Sequence, residues 1–280
     1  MKRLSAPKVS TVWLAVGFVF LYAPMLSLII YSFNESRLVT VWSGFSVKWY
    51  GELMRDEQML NAAWVSLRVA FYTATTSVVI GTMASLMLTR FARFPGKTLF
   101  GGLITAPLVM PEVITGLSLL LLFVSMSDWF GVFGSRGIMT IWIAHVTFCV
   151  SFVTVVVSSR LSEVDKSIEE AAMDLGANRA KVFFLITLPM IAPALVAGWL
   201  LAFTLSLDNL VVTSFVSGPA STTLPMKVFS SVRLGVSPKI NALATIMIGV
   251  VFVAAFIGWW WMAREEKKRK LDMQLAAQKG

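Results

Sequence analysis

Apolar residues fall into six long runs, at Thr11–Tyr31, Ala62–Thr89, Phe100–Met126, Gly137–Val157, Val182–Val216 and Ile240–Met262. Each reaches the roughly 20 residues a helix needs to cross the hydrocarbon core of a bilayer. Within a run the apolar positions are continuous instead of alternating with polar ones, a pattern that predicts helices and not barrel strands. The fifth run is 35 residues long. As one helix it would extend roughly 52 Å, against a core of about 30 Å, so it cannot all cross. Pro189 and Pro193 predict that its first part lies along one interface and that crossing begins near Ala192. The first run follows Lys2, Arg3 and Lys8. It exceeds the apolar core of a secretory signal and ends in no clean small-residue cleavage site, so it reads as an uncleaved anchor. The expectation is an all-α integral membrane protein with six transmembrane helices, forming a single membrane domain over residues 1–280.

Composition agrees. Hydrophobic residues make up 57% of the 280 and charged residues 14%, where a soluble domain carries about 25% charged, and the mean hydropathy is +0.77. The net charge of +9 sits between the apolar runs and in the tails, a placement that fits membrane topology and not a nucleic-acid face. With an inside N-terminus, the inside segments hold 16 Lys and Arg and the outside ones 7, which predicts that both termini are cytoplasmic. The last run ends in Trp259, Trp260 and Trp261, followed by Arg264, Lys267, Lys268, Arg269 and Lys270. That is an aromatic and basic anchor at the inner interface. Outside, the segment 217–239 carries Gly218-Pro219, Pro225, Gly235 and Ser237-Pro238, turn-formers that predict a structured loop.

The inside loop at about 160–181 breaks the positive pattern, with five acids: Glu163, Asp165, Glu169, Glu170 and Asp174. Ser167-Ile168-Glu169-Glu170 has the form of a capping box, predicting a helix from Ile168 to Leu175. Gly176 then stands where a left-handed cap is needed, and Asn178 can cap the helix that follows. Glu170-Ala171-Ala172, Gly176 and then Ile186-Thr187-Leu188-Pro189 resemble the "EAA" motif of binding-protein-dependent ABC permeases. The likeness extends to Ser32-Phe33-Asn34, to Trp49-Tyr50 and to Ala106-Pro107-Leu108-Val109-Met110-Pro111-Glu112, which look like the second permease subunit of putrescine/spermidine importers. This resemblance implies a type I ABC importer permease fold in the bacterial inner membrane. It implies that Glu170, Ala171, Ala172, Asp174 and Gly176 couple to ABC ATPase subunits. It further implies a second permease subunit and a periplasmic polyamine-binding protein as partners beside membrane lipid, and ATP bound by the partner ATPase and not by this chain.

Ionisable groups at membrane depth are costly and point to function. Glu112 lies about 18 Å into the third run if that run is one helix, after Pro107 and Pro111, which predict a kink with freed carbonyls. Asp208, in the polar cluster Ser206-Leu207-Asp208-Asn209, falls in the outer half of the fifth. Glu112, Asp208 and Asn209 are the candidate substrate path, and its negative sign suits a cation. Arg68, near the outer end of the second run, can snorkel outward. His145 is expected to be a hydrogen-bonded packing residue.

Other chemistries fail on spacing. Gly96-Lys97-Thr98 lacks the earlier glycine of a phosphate loop, where Phe91 stands, so no nucleotide site is expected here. One His and one Cys give no metal site, and no catalytic set is apparent. The alternative class is a secondary transporter or channel for a small cation, driven by an ion gradient.

Overall fold

The computed structural model describes residues 8–38, 41–91, 94–133, 135–235 and 237–253, with Phe256, Trp260 and Arg264. In chain order the helices are α1 (Lys8–Ser32), α2 (Lys48–Met54), α3 (Glu57–Arg90), α4 (Lys97–Val109), α5 (Glu112–Phe130) and α6 (Ile138–Glu163). There follow α7 (Lys166–Asp174), α8 (Arg179–Val182), α9 (Leu188–Leu207), α10 (Val211–Val216), α11 (Leu224–Leu234) and α12 (Pro238–Val253). Among the described residues, five helical stretches are long and apolar enough to cross a membrane: Thr11–Ser32, Glu57–Arg90, Glu112–Phe130, Ile138–Glu163 and Arg179–Leu207. The sixth expected span is helical over Pro238–Val253, and most of its remainder, including Trp259 and Trp261, lies outside the described residues. So do Lys267, Lys268, Arg269 and Lys270. Arg264 stacks 3.5 Å over the Trp260 ring.

The chain divides into two compact units, residues 1–57 with 231–280, and residues 58–230. In the first, α1 is exposed from Thr11 to Ser27, as expected of a helix apolar on all sides whose solvent is lipid. Beyond it the chain is tied in a knot. Trp49 Nε1 donates to the Asn34 carbonyl at 2.6 Å, Ser32 Oγ and Tyr50 Oη lie 2.7 Å apart, and Phe33 stacks on Phe45. The Asn34 side chain closes the loop by bonding Val41 O and Ser43 N. The two distant motifs Ser32-Phe33-Asn34 and Trp49-Tyr50 are thus one structural element. Lys239, at the start of α12, lies 3.7 Å from Glu52 and 3.5 Å from Asp56.

The second unit is built around α6. One apolar cluster joins its Phe148, Val153, Val157 and Leu161 to Ala74 of α3 and to Ile191 and Ala202 of α9. A second joins its Ile141 and Ala144 to Val65 and Val69 of α3, Phe123 of α5, and Val212 and Val216 of α10. Small residues allow the close approach that membrane helices depend on. A Cβ on Gly81 would lie 2.8 Å from Val153 Cγ1, and one on Gly198 3.4 Å from it, so Val153 is gripped between two glycines. Ser85 Oγ adds a cross-helix bond to Thr154 O at 3.0 Å.

Two expected spans differ from single helices. Phe100–Met126 is broken at Met110-Pro111, where ψ is 133° at both residues. Pro111 has no amide hydrogen and forces the residue before it into extended geometry, so the expected kink is a full break. Val182–Val216 breaks at Asp208–Leu210 and not at its prolines. Pro189 and Pro193 sit inside one continuous helical stretch, Arg179–Leu207. A π-helical turn at Phe183–Thr187 lets Leu188 N bond Phe183 O, which widens the helix where Pro189 can donate nothing.

Candidate functional site

The two breaks meet. Pro107, Leu108, Met110, Glu112 and Thr115 from the α4–α5 break, and Leu205 and Asp208 to Val212 from the α9–α10 break, line one cavity of about 350 Å³. Phe148 and Phe152 of α6 complete it. Glu112, Asp208 and Asn209, far apart in the sequence, therefore share a site. Its volume falls at the small end of ligand pockets, which run roughly 300–1,000 Å³.

Four helix ends and two carboxylates meet at the cavity. Helices α4 and α9 both end there, and the last carbonyls of a helix have no partner within it. Pro111 removes the amide that would have met Pro107 O. Two helix C-termini therefore reach the cavity, but so do the N-termini of α5 and α10, whose positive ends offset them, and the negative sign comes from the carboxylates of Glu112 and of Asp208, the C-cap of α9. Glu112 sits in the first turn of α5, where a negative side chain complements the dipole. Asn209, two residues before α10, is buried, its Oδ1 accepting from Thr213 N at 3.3 Å. Phe148 and Phe152 put two aromatic side chains in the cavity wall. Arg68 stands apart, exposed, 5.8 Å over the Tyr72 ring.

His145 is fully buried, with Nδ1 2.7 Å from Ser206 Oγ and Nε2 2.9 Å from Thr213 Oγ1. The expected hydrogen-bonded histidine is present, and both partners flank the α9–α10 break.

The second candidate site is α7 and its turn. The expected capping box is absent. Asp165, not Ser167, is the N-cap, and its carboxylate accepts from Ser167 N at 2.9 Å, so the helix begins two residues early and Ser167 lies inside it. That bond holds the Asp165 carboxyl below its ordinary range. The glycine turn is as expected: Gly176 has φ +88°, Gly176 N bonds Met173 O at 2.9 Å and Ala177 N bonds Ala172 O at 3.1 Å. This paired pattern satisfies the last carbonyls of α7. Asn178 Oδ1 accepts from Lys181 N at 2.8 Å and starts α8.

Glu169, which sequence reasoning left among the undifferentiated acids, fastens α7 to the rest of this unit. It accepts from Arg90 Nε and Nη2 at 3.2 and 3.0 Å and from Thr187 Oγ1 at 2.9 Å. Arg90 Nη2 also reaches Val164 O. Helical spacing then turns Glu170, Ala171 and Asp174 outward, where they are exposed with Ile168 and Leu175. Leu175 is 90% exposed. Ala172, one turn from Glu169, is half-buried.

Residues 77–270 match the family model described as the binding-protein-dependent transport system inner membrane component. The chain is 61% identical over 274 residues to the putrescine transport system permease protein PotI of Escherichia coli (strain K12), covering 96% of this chain and 98% of that one. It is 41% identical over 251 residues to the spermidine/putrescine transport system permease protein PotC of the same organism, covering 90% and 92%. A chain of a bacterial ABC transporter that imports the acidic polysaccharide alginate superposes with a TM-score of 0.70 at 18% identity, over 91% of this chain and 98% of that one. A chain of the inward-facing MetNI methionine ABC transporter gives 0.58 at 16% identity, over 71% and 92%. This chain therefore belongs to the binding-protein-dependent transport system inner membrane components. It is a permease, a transport component and not an enzyme.

Proposed function

We propose that this permease carries polyamines, putrescine or spermidine, inward through the cavity between its two helix breaks. The single observation behind the reading is that cavity, which brings Glu112 and Asp208 together with two phenylalanines where the two helix breaks meet. Two carboxylates suit a solute with two ammonium groups, whose methylene chain can lie against Phe148 and Phe152. Exchange of the ammonium hydration shells for carboxylates and carbonyls is how a cation enters a narrow passage. The similarity to PotI and PotC, whose names specify putrescine and spermidine, supports the same substrate class.

In this account the exposed face of α7, with Glu170, Ala171, Asp174 and Leu175, docks on an ABC ATPase subunit. Ala172 and the Gly176 turn set its position, and Glu169 and Arg90 carry its displacement to α3 and α9. ATP is bound and hydrolysed by the partner. A periplasmic binding protein delivers the polyamine, and a second permease subunit forms the other half of the path. The chain spans the inner membrane several times with both termini in the cytoplasm. The test is uptake of labelled putrescine by the complete transporter in proteoliposomes that enclose ATP. Uptake is expected with ATP and not with an ion gradient alone. Uptake that follows the gradient and ignores ATP would replace this reading with a secondary transporter.

A further inference from the structure

The α9–α10 break carries Asp208 and Asn209, yet an interrupted helix has lost the backbone bonds that would fix its shape. Something else must hold it. Ser206 is the last residue but one of α9 and Thr213 the third residue of α10, and both hydroxyls meet the same imidazole, that of His145 on α6. The direction of each bond follows from the proton count. Thr213 donates its only hydroxyl proton to the Asn209 carbonyl at 2.8 Å, so Thr213 Oγ1 must accept from His145. Nε2 therefore carries the hydrogen, and in a neutral imidazole Nδ1 is then the acceptor, supplied by the Ser206 hydroxyl. The relay runs from Ser206 through His145 and Thr213 to the backbone of Asn209, all of it buried. The ring also meets the edge of Phe148, with centroids 5.6 Å apart, and Phe148 is a wall of the cavity.

We infer that His145 is a positioning residue for the translocated cation. As the Nε2–H tautomer it clamps both sides of the α9–α10 break to α6, and so fixes where Asp208 and Phe148 stand in the cavity. The inference rests on the reading of that cavity as the polyamine path. A buried donor or acceptor left without its partner is costly, so losing the imidazole should let the break relax instead of merely loosening a surface.

The experiment measures KM and maximal rate of ATP-driven putrescine uptake by the complete transporter in proteoliposomes, per assembled complex. His145→Phe keeps ring bulk and removes both nitrogens; the KM should rise about tenfold, the scale of one to two lost hydrogen bonds. His145→Gln can place an amide N–H near the Nε2 position, and should recover a KM within about threefold of wild type. Ser206→Ala and Thr213→Val each remove one arm and should raise KM separately, which keeps the test open if His145→Phe fails to assemble. An unchanged KM in His145→Phe, or in both single-arm variants, alongside a raised KM in Asp208→Asn, overturns the positioning role alone. Unchanged KM in both Glu112→Gln and Asp208→Asn overturns the path itself, and this inference with it.

Discussion

Replacing Glu169 with Gln should detach α7 from its own subunit. A nine-residue helix is too short to hold its shape alone in water, and among the described contacts its polar anchor is the Glu169 carboxylate, which accepts two bonds from Arg90 and one from Thr187. Bonds to charged groups contribute about 1.5–3 kcal/mol each, and breaking one side of a buried pair costs about 3–5 kcal/mol. The two side chains are 13% and 15% exposed, so water screens part of the loss, and glutamine keeps one acceptor oxygen. A net loss of about 2 kcal/mol is the reasonable figure, which raises the undocked population of α7 about thirtyfold. Amide hydrogen exchange over residues 166–175 reads that population directly. In Glu169→Gln those amides should exchange about thirtyfold faster, and putrescine uptake per ATP hydrolysed should fall. Glu163→Gln is the control, because its pair with Arg160 is 46% and 63% exposed and contributes little. Wild-type exchange in Glu169→Gln would refute the anchoring role.

Gly176→Val should cost about 1–2 kcal/mol from its left-handed backbone alone, since a Cβ there meets nothing within 4 Å; uptake should fall at unchanged membrane levels, with Gly176→Asn milder. Gly81→Ala would press against Val153 and should destabilise the detergent-solubilised protein by about 1–3 kcal/mol in thermal unfolding, with Val153→Ala restoring part of the loss.

Five of the six expected spans were legible in the sequence because lipid-facing helices have no polar side to confuse the pattern, and Thr11–Tyr31 differs from α1 by only a few residues. Breaks were legible to the extent that they had a chemical cause. Pro111 announced one, whereas Pro189 and Pro193 suggested another that a π-helical turn absorbs. The break at Asp208 was signalled only by excess length and a polar cluster. The meeting of Glu112 with Asp208 is tertiary, and no local pattern encodes it. At α7 the glycine turn was readable because only one residue type suits φ +88°. The N-cap was not, since Asp165 and Ser167 are both good caps. Two adjacent acids, Glu169 and Glu170, carry no mark of which faces inward.

On the proposed reading, the cavity between the two breaks attracts a dication through its two carboxylates. Glu112→Gln and Asp208→Asn keep shape and hydrogen-bonding capacity while removing charge, so the KM for putrescine in proteoliposomes containing the complete transporter isolates the electrostatic part. A KM raised about tenfold or more is expected in each variant, the scale of one lost charge-assisted contact. A wild-type KM in both, at matched amounts of assembled transporter, would contradict it.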